Sequence, residues 1–175
     1  MTRGSLASAF RGWLPVWFVL ALLGAVEPAL AASVTSMTVD EAADRIVNER
    51  GRVTIVLLWK STCPNSRQML PEFERLAERY AGRGVSILAF STDHNPDDLQ
   101  GYLDANRSRF LGPHIKRWSP GELSAAMVRA QIEIGSTFGL PLIAVLDRNG
   151  RRLGQHSGGR GAAMAAEWLE SVGAD

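Results

Sequence analysis

Apolar positions along the chain follow two rhythms. Three short continuous runs, "RVTIVLLW" (52–59), "GVSILAFST" (84–92) and "LPLIAVLD" (140–147), have the length and β-branched content of strands buried on both faces. Elsewhere apolar residues recur at spacings of three and four. Met69, Phe73, Leu76 and Tyr80, with Glu and Arg between them, predict a helix over 65–81. Leu99, Tyr102 and Leu103 predict another after the turn-forming "HNPDD". Upstream, Thr38 and Glu41 form a capping-box pattern ahead of Ala42, Ile46 and Val47, and Gly51 supplies the stop. Ser119-Pro120-x-Glu122 reads as another helix start, running to about Ile134. "RNG" between "LPLIAVLD" and "RRLGQHS" predicts a hairpin. Gly158, Gly159 and Gly161 read as a flexible joint before a last helix that ends at Gly173. Strands alternating with helices predict an α/β domain with parallel strands and helical crossovers.

The first thirty-odd residues obey a different logic. Arg3 and Arg11 precede an apolar stretch from Trp13 to Val26, and "EPALAAS" spaces Ala29 and Ala31 as a signal peptidase requires. Residues 1–31 are therefore expected to be a secretory signal peptide, with an uncleaved membrane anchor as the alternative. Residues 32–37 read as a linker and 38–175 as one globular domain outside the cytoplasm, a periplasm in a bacterium. Loss of Arg3, Arg11 and Glu27 leaves the rest formally neutral, so nucleic acid is not an expected partner. A membrane is one only if the leading segment stays attached.

Cys63 is the only cysteine, which excludes any disulfide within the chain. It falls where the first strand ends and the next helix begins. The unpaired N–H groups of a helix start favour a thiolate over a thiol, and the thiolate is the nucleophile. Lys60 adds positive charge nearby, and Pro64 at the first helical position costs no hydrogen bond. The plainer reading is a small apolar residue packed beneath a loop.

The order of segments shifts the balance toward the first. "WKSTCPNS" (59–66), the long helix after it, "FGLP" (138–141) and the hairpin "LIAVLDRNGRRLGQHSGG" together resemble the thioredoxin-like superfamily, and within it the extracytoplasmic TlpA/ResA-like branch. The resemblance covers about residues 38–172. It implies a thioredoxin-like three-layer α/β/α sandwich, with a central mixed sheet, helices on both faces and a helical insertion near 104–134. It also implies a cis peptide before Pro141, packed beside Cys63. Trp59, Pro64, Leu140 and Pro141 would then line a groove for an extended substrate, with Cys63 and Ser66 as the catalytic pair. The departure is Ser66, which stands where the family places its second cysteine. Leu57 occupies the position of a buried acid in many thioredoxins.

A hydroxyl is too weak an acid to replace a resolving thiolate, so the two-thiol cycle is not expected. Cys63 could still form mixed disulfides with protein thiols or a low-molecular-weight thiol, be oxidised to a sulfenic acid, or link two chains in a dimer. The alternative is a non-catalytic peptide-binding or chaperone-like module that keeps the groove. Lys60 stands where peroxiredoxins place a hydroxyl residue, and no G-x-S-x-G elbow supports a hydrolase. His94, His114 and His156 lack ligand spacing with Cys63, so neither a metal nor another cofactor is implied. Asp93, Asp97 and Asp98 read as caps of the following helix, His94 as a loop residue, and Trp118 and Trp168 as packing residues.

Overall fold

The computed structural model describes residues 34–106, 112–135 and 138–173. The predicted signal segment lies outside the described residues. Among those described, no helix is long and apolar enough to cross a membrane. In chain order the elements are β1 (Ser36–Met37), α1 (Val39–Val47), β2 (Val53–Trp59), α2 (Pro64–Tyr80), β3 (Val85–Ser91) and α3 (Pro96–Asn106). There follow β4 (His114–Ile115), α4 (Pro120–Arg129), β5 (Leu142–Leu146), β6 (Arg152–Ser157) and α5 (Gly161–Ser171).

The strands form one mixed sheet in the order β1-β4-β3-β2-β5-β6. β1, β4, β3 and β2 run parallel, and β5 pairs antiparallel with both β2 and β6. β2 is central, and all seven of its residues are buried. Its alternating side chains feed two cores. Ile55, Leu57 and Trp59 meet Met69 and Phe73 of α2, Leu99 of α3 and Leu169 of α5. Val56 and Leu58 meet Ala42 and Ile46 of α1 and Leu123 and Met127 of α4. A strand buried on both faces needs an unbroken apolar run, which explains "VTIVLLW". Helices on both faces of a mixed sheet give the expected three layers.

Local signals place the helix ends. Thr38 and Ser119 are N-caps with complete capping boxes to Glu41 and Glu122. Hydrogen bonds from Thr38 and Ser119 hold both carboxyls below the usual carboxylate range. Pro71 sits inside α2, where it removes the rung to the Arg67 carbonyl. α4 stops at Arg129, short of Ile134, and Gln131 turns the chain with φ of 61°.

The structure departs from expectation in three places. Ser36 and Met37, read as linker, form an edge strand paired with His114 and Ile115. The stretch near 104–134 is more than a helical excursion: besides α4 it contributes β4, which inserts between β1 and β3. Gly161 is not a flexible joint. A side chain there would meet Ile143 Cγ2 at 2.8 Å and Met69 Sδ at 3.1 Å, so glycine lets α5 press against the sheet. Gly158, with φ of 104°, makes the turn.

Gly154 of β6 faces Trp168 of α5 so closely that a Cβ would lie 2.1 Å from the indole ring. Gly154→Ala should cost about 1–3 kcal/mol through overpacking. Gly101 has open space around it inside α3. Gly101→Ala should add about 0.5–1 kcal/mol through helix propensity. Urea unfolding of the two variants reads both signs.

Candidate active site at the β2–α2 junction

β2 ends at Trp59, the chain turns through Lys60, Ser61 and Thr62, and Cys63 becomes the N-cap of α2 with Pro64 at its first position. The Cys63 side chain makes no capping bond to the helix. Its thiol points across to the carbonyl of Leu140, with Sγ to O at 3.6 Å. Leu140 and Pro141 are joined by a cis peptide bond immediately before β5. Cys63 and Leu140 are half-buried, Pro64 is exposed and Pro141 is buried. The sulfur and the loop before β5 therefore lie together at the rim of the sheet.

Two of the expected site residues sit differently. Ser66 has no exposed surface, and its hydroxyl accepts the Lys60 N–H at 3.3 Å. It ties the turn to α2, and among the described residues the thiol bonds to Leu140 rather than to Ser66. Trp59 does not line a groove. It is fully buried because β2 alternation aims it beneath α2 and α3, where its ring meets Tyr102 edge-on at 5.7 Å. It contributes through its backbone carbonyl, which accepts from the Thr92 N–H at 2.8 Å and the Thr92 hydroxyl at 3.0 Å.

The turn before Cys63 is held by a residue assigned another task from sequence. Asp93 is not a helix cap: it is buried, and its carboxylate takes the Ser61 N–H at 2.9 Å, the Ser61 hydroxyl at 2.8 Å and the Ser91 hydroxyl at 2.7 Å. Its carbonyl accepts from Nε2 of buried His114 at 2.6 Å. A carbonyl only accepts, so His114 carries a proton on Nε2, while Nδ1 faces the Ser36 hydroxyl at 3.2 Å. One polar chain thus links the short strands β1 and β4 to the turn that carries Cys63. A buried acid directly after an apolar strand was the available signal; its partner, 32 residues away, was not readable locally.

The two flanks of the junction differ. On one side His94 stacks on Trp118 at 4.9 Å, and Trp118 meets Phe138 at 6.3 Å, a row of rings from the β3 end to the loop before β5. On the other, Arg67 donates through Nε to the Ser61 carbonyl and lies 5.5 Å over the Tyr102 ring. Burial pushes the Tyr102 phenol above its ordinary value, with Arg67 opposing and Glu74 reinforcing. Here Ser61, Thr62, Arg67, Asp98, Tyr102 and Asn106 line a hollow of about 490 Å³. No group of three metal-ligating side chains converges among the described residues.

A mixed sheet with helices on both faces, and a cysteine facing a cis-proline loop from a helix start, define a thioredoxin-like fold. Solved structures agree. A candidate DsbE thiol:disulfide interchange protein from Chlorobium tepidum aligns with a TM-score of 0.55 at 24% identity, over 73% of this chain and 82% of that one. A second thioredoxin-family thiol:disulfide interchange protein from Chlorobium tepidum aligns at 0.56 and 21%, over 71% and 81%. StoA from Bacillus subtilis aligns at 0.51 and 20%, over 69% and 84%. No protein-family model and no curated protein matches the sequence.

Three charge-assisted hydrogen bonds on a buried carboxylate make Asp93 a stability determinant. Asp93→Ala should lower the unfolding free energy by about 2–4 kcal/mol, because the Ser61 N–H and two hydroxyls lose their acceptor. Asp93→Asn, which keeps one acceptor oxygen, should lose less. Denaturant titration measures both; an Ala variant within about 0.5 kcal/mol of the parent contradicts the assignment.

Proposed function

We propose that this protein is an extracytoplasmic thioredoxin-fold protein that uses Cys63 as a single exchange thiol. Its partners are protein disulfides of the cell envelope and a low-molecular-weight thiol. One observation carries the reading: the half-buried Cys63 sulfur lies at the start of α2, 3.6 Å from the Leu140 carbonyl before Pro141. A structural cysteine has no need of that meeting point between a helix start and the loop before β5. The leading segment, with its basic start, apolar core and Ala29-x-Ala31 site, supports export.

The chemistry follows from one thiol. Cys63 loses its proton to solvent, and its thiolate attacks one sulfur of a substrate disulfide. The Cys63–substrate S–S bond forms as the original S–S bond breaks, and the departing sulfur leaves as a thiolate that takes up a proton. Cys63 is oxidised and the departing half reduced. With Ser66 in place of an internal attacker, an external thiolate must strike the mixed disulfide to restore Cys63. Leu140 and Pro141 would position the incoming chain, while Pro64 and Ser66 would hold the turn.

Dithiodipyridine, a neutral chromophoric disulfide, tests the reading directly. Native protein at neutral pH should release a single equivalent of pyridinethione faster than a small reference thiol does, and Cys63→Ser should release none. Native protein that reacts only after unfolding would instead support a binding module without exchange chemistry. Ser66→Cys places a second sulfur one turn from the first on α2. That variant should close an internal disulfide on oxidation, visible as a two-hydrogen mass loss with no adduct.

A further inference from the structure

Two local features at Trp118 work against stability. Arg117, the residue before it, has φ of 50°, a left-handed conformation that few residues other than glycine adopt without constraint. The Trp118 indole N–H is buried and has no hydrogen-bond partner among the described residues. Packing explains neither, since an apolar ring without an N–H would leave no orphaned donor. The chain nevertheless fixes Trp118 from both sides. The Lys116 N–H donates to the Met37 carbonyl at 2.9 Å, and Ser119 caps α4 with a complete capping box. The ring stacks on His94 at 4.9 Å and meets Phe138 at 6.3 Å. Phe138 stands two residues before Leu140, whose carbonyl takes the Cys63 thiol. Trp118, Phe138 and Leu140 are all half-buried and pack on the same core, the one shared with α1 and α4. They form one apolar shelf that ends at the sulfur. With its N–H buried, any ring surface that Trp118 shows to solvent is carbon.

We propose that this shelf selects protein substrates that carry an aromatic side chain close in sequence to the reacting cysteine. The inference rests on the exchange role of Cys63 and names the class of substrate that it serves. A disulfide that reaches the Cys63 sulfur arrives beside Leu140, and the chain flanking it on that side crosses Phe138 and Trp118. Aromatic rings add edge and face contacts to the area they bury, so a row of rings favours another ring over an aliphatic side chain. An extended chain advances about 3.3–3.6 Å per residue, which brings Phe138 and Trp118 within about four residues of the substrate cysteine.

The test uses short Gly/Ser peptides with a central cysteine carried as its thiopyridyl mixed disulfide, on the full protein. One peptide has no other side chain of size. The rest place a single Phe, or a single Leu, at each position up to four residues on either side of the cysteine. The Cys63 thiolate attacks the peptide sulfur, a Cys63–S–S–peptide bond forms and the peptide–pyridyl S–S bond breaks. The pyridyl half leaves as a thiolate and is protonated to the coloured thione, so Cys63 is oxidised and the leaving half reduced. Each rate is divided by that of a small reference thiol with the same peptide. Phe at one or two positions on one side of the cysteine should raise this ratio about tenfold over the Gly/Ser peptide, and Leu there should raise it less. Trp118→Ala and, separately, Phe138→Ala should bring the Phe ratios back toward the Gly/Ser ratio. The scan on native protein stands whether or not either variant folds. Ratios that ignore Phe at every position overturn the shelf while leaving Cys63 an exchange thiol, and a gain from Leu equal to that from Phe overturns aromatic selection. Reaction with no peptide at all overturns the exchange role itself.

Discussion

A carboxylate with no exposed surface persists only when its lone pairs are filled, and Asp93 meets that demand through the turn that precedes Cys63. Releasing Ser61 would strand a buried charge, so the turn and the end of β3 are locked to one another. The same residue reaches outward through its carbonyl to His114 and on to Ser36, which joins the short strands β1 and β4 to the site. Strands of two residues each are weak elements, and this polar chain gives them an anchor in the interior. Arg67 closes the turn from the other side by taking the Ser61 carbonyl. The position of the Cys63 sulfur is thus the outcome of contacts made by residues before and after it.

That rigidity bears on what one thiol can do. The sulfur stands at a helix start, without a bond to its N–H groups, and meets the Leu140 carbonyl of the loop before β5. Ser66 keeps the geometry of the turn by accepting the Lys60 N–H, which shows how serine can hold this position without supplying a second sulfur. Leu57 is buried in the core that β2 shares with α2. Under the proposed function, the site would carry the first half of a thiol–disulfide exchange, and the second half would come from an external thiol.

Much of this was legible because local rules carried it. β2, β3 and β5 announced themselves as unbroken apolar runs, and the Thr38 and Ser119 capping boxes marked helix starts that the structure keeps. Cys63 and Pro64 could be placed at a strand-to-helix junction from pattern alone. What escaped is long-range or depends on packing. Asp93 looked like a cap because its sequence neighbours include Asp97 and Asp98, and nothing nearby points to Ser61. Trp59 looked like a groove residue because it adjoins the turn, yet strand alternation buries it against Tyr102. β4 is too short for any periodicity, and Gly161 reads as flexible until the closeness of α5 to Ile143 is known.

The central claim, a mixed disulfide at Cys63 that only an external thiol can clear, is tested most directly by mass spectrometry of the protein with a disulfide-bonded protein substrate. Reduced protein should accumulate a covalent Cys63–substrate adduct that persists in the absence of added thiol and disappears, with free protein restored, when a small thiol is supplied. Substrate bound without any covalent adduct, or an adduct that discharges unaided, would contradict the account.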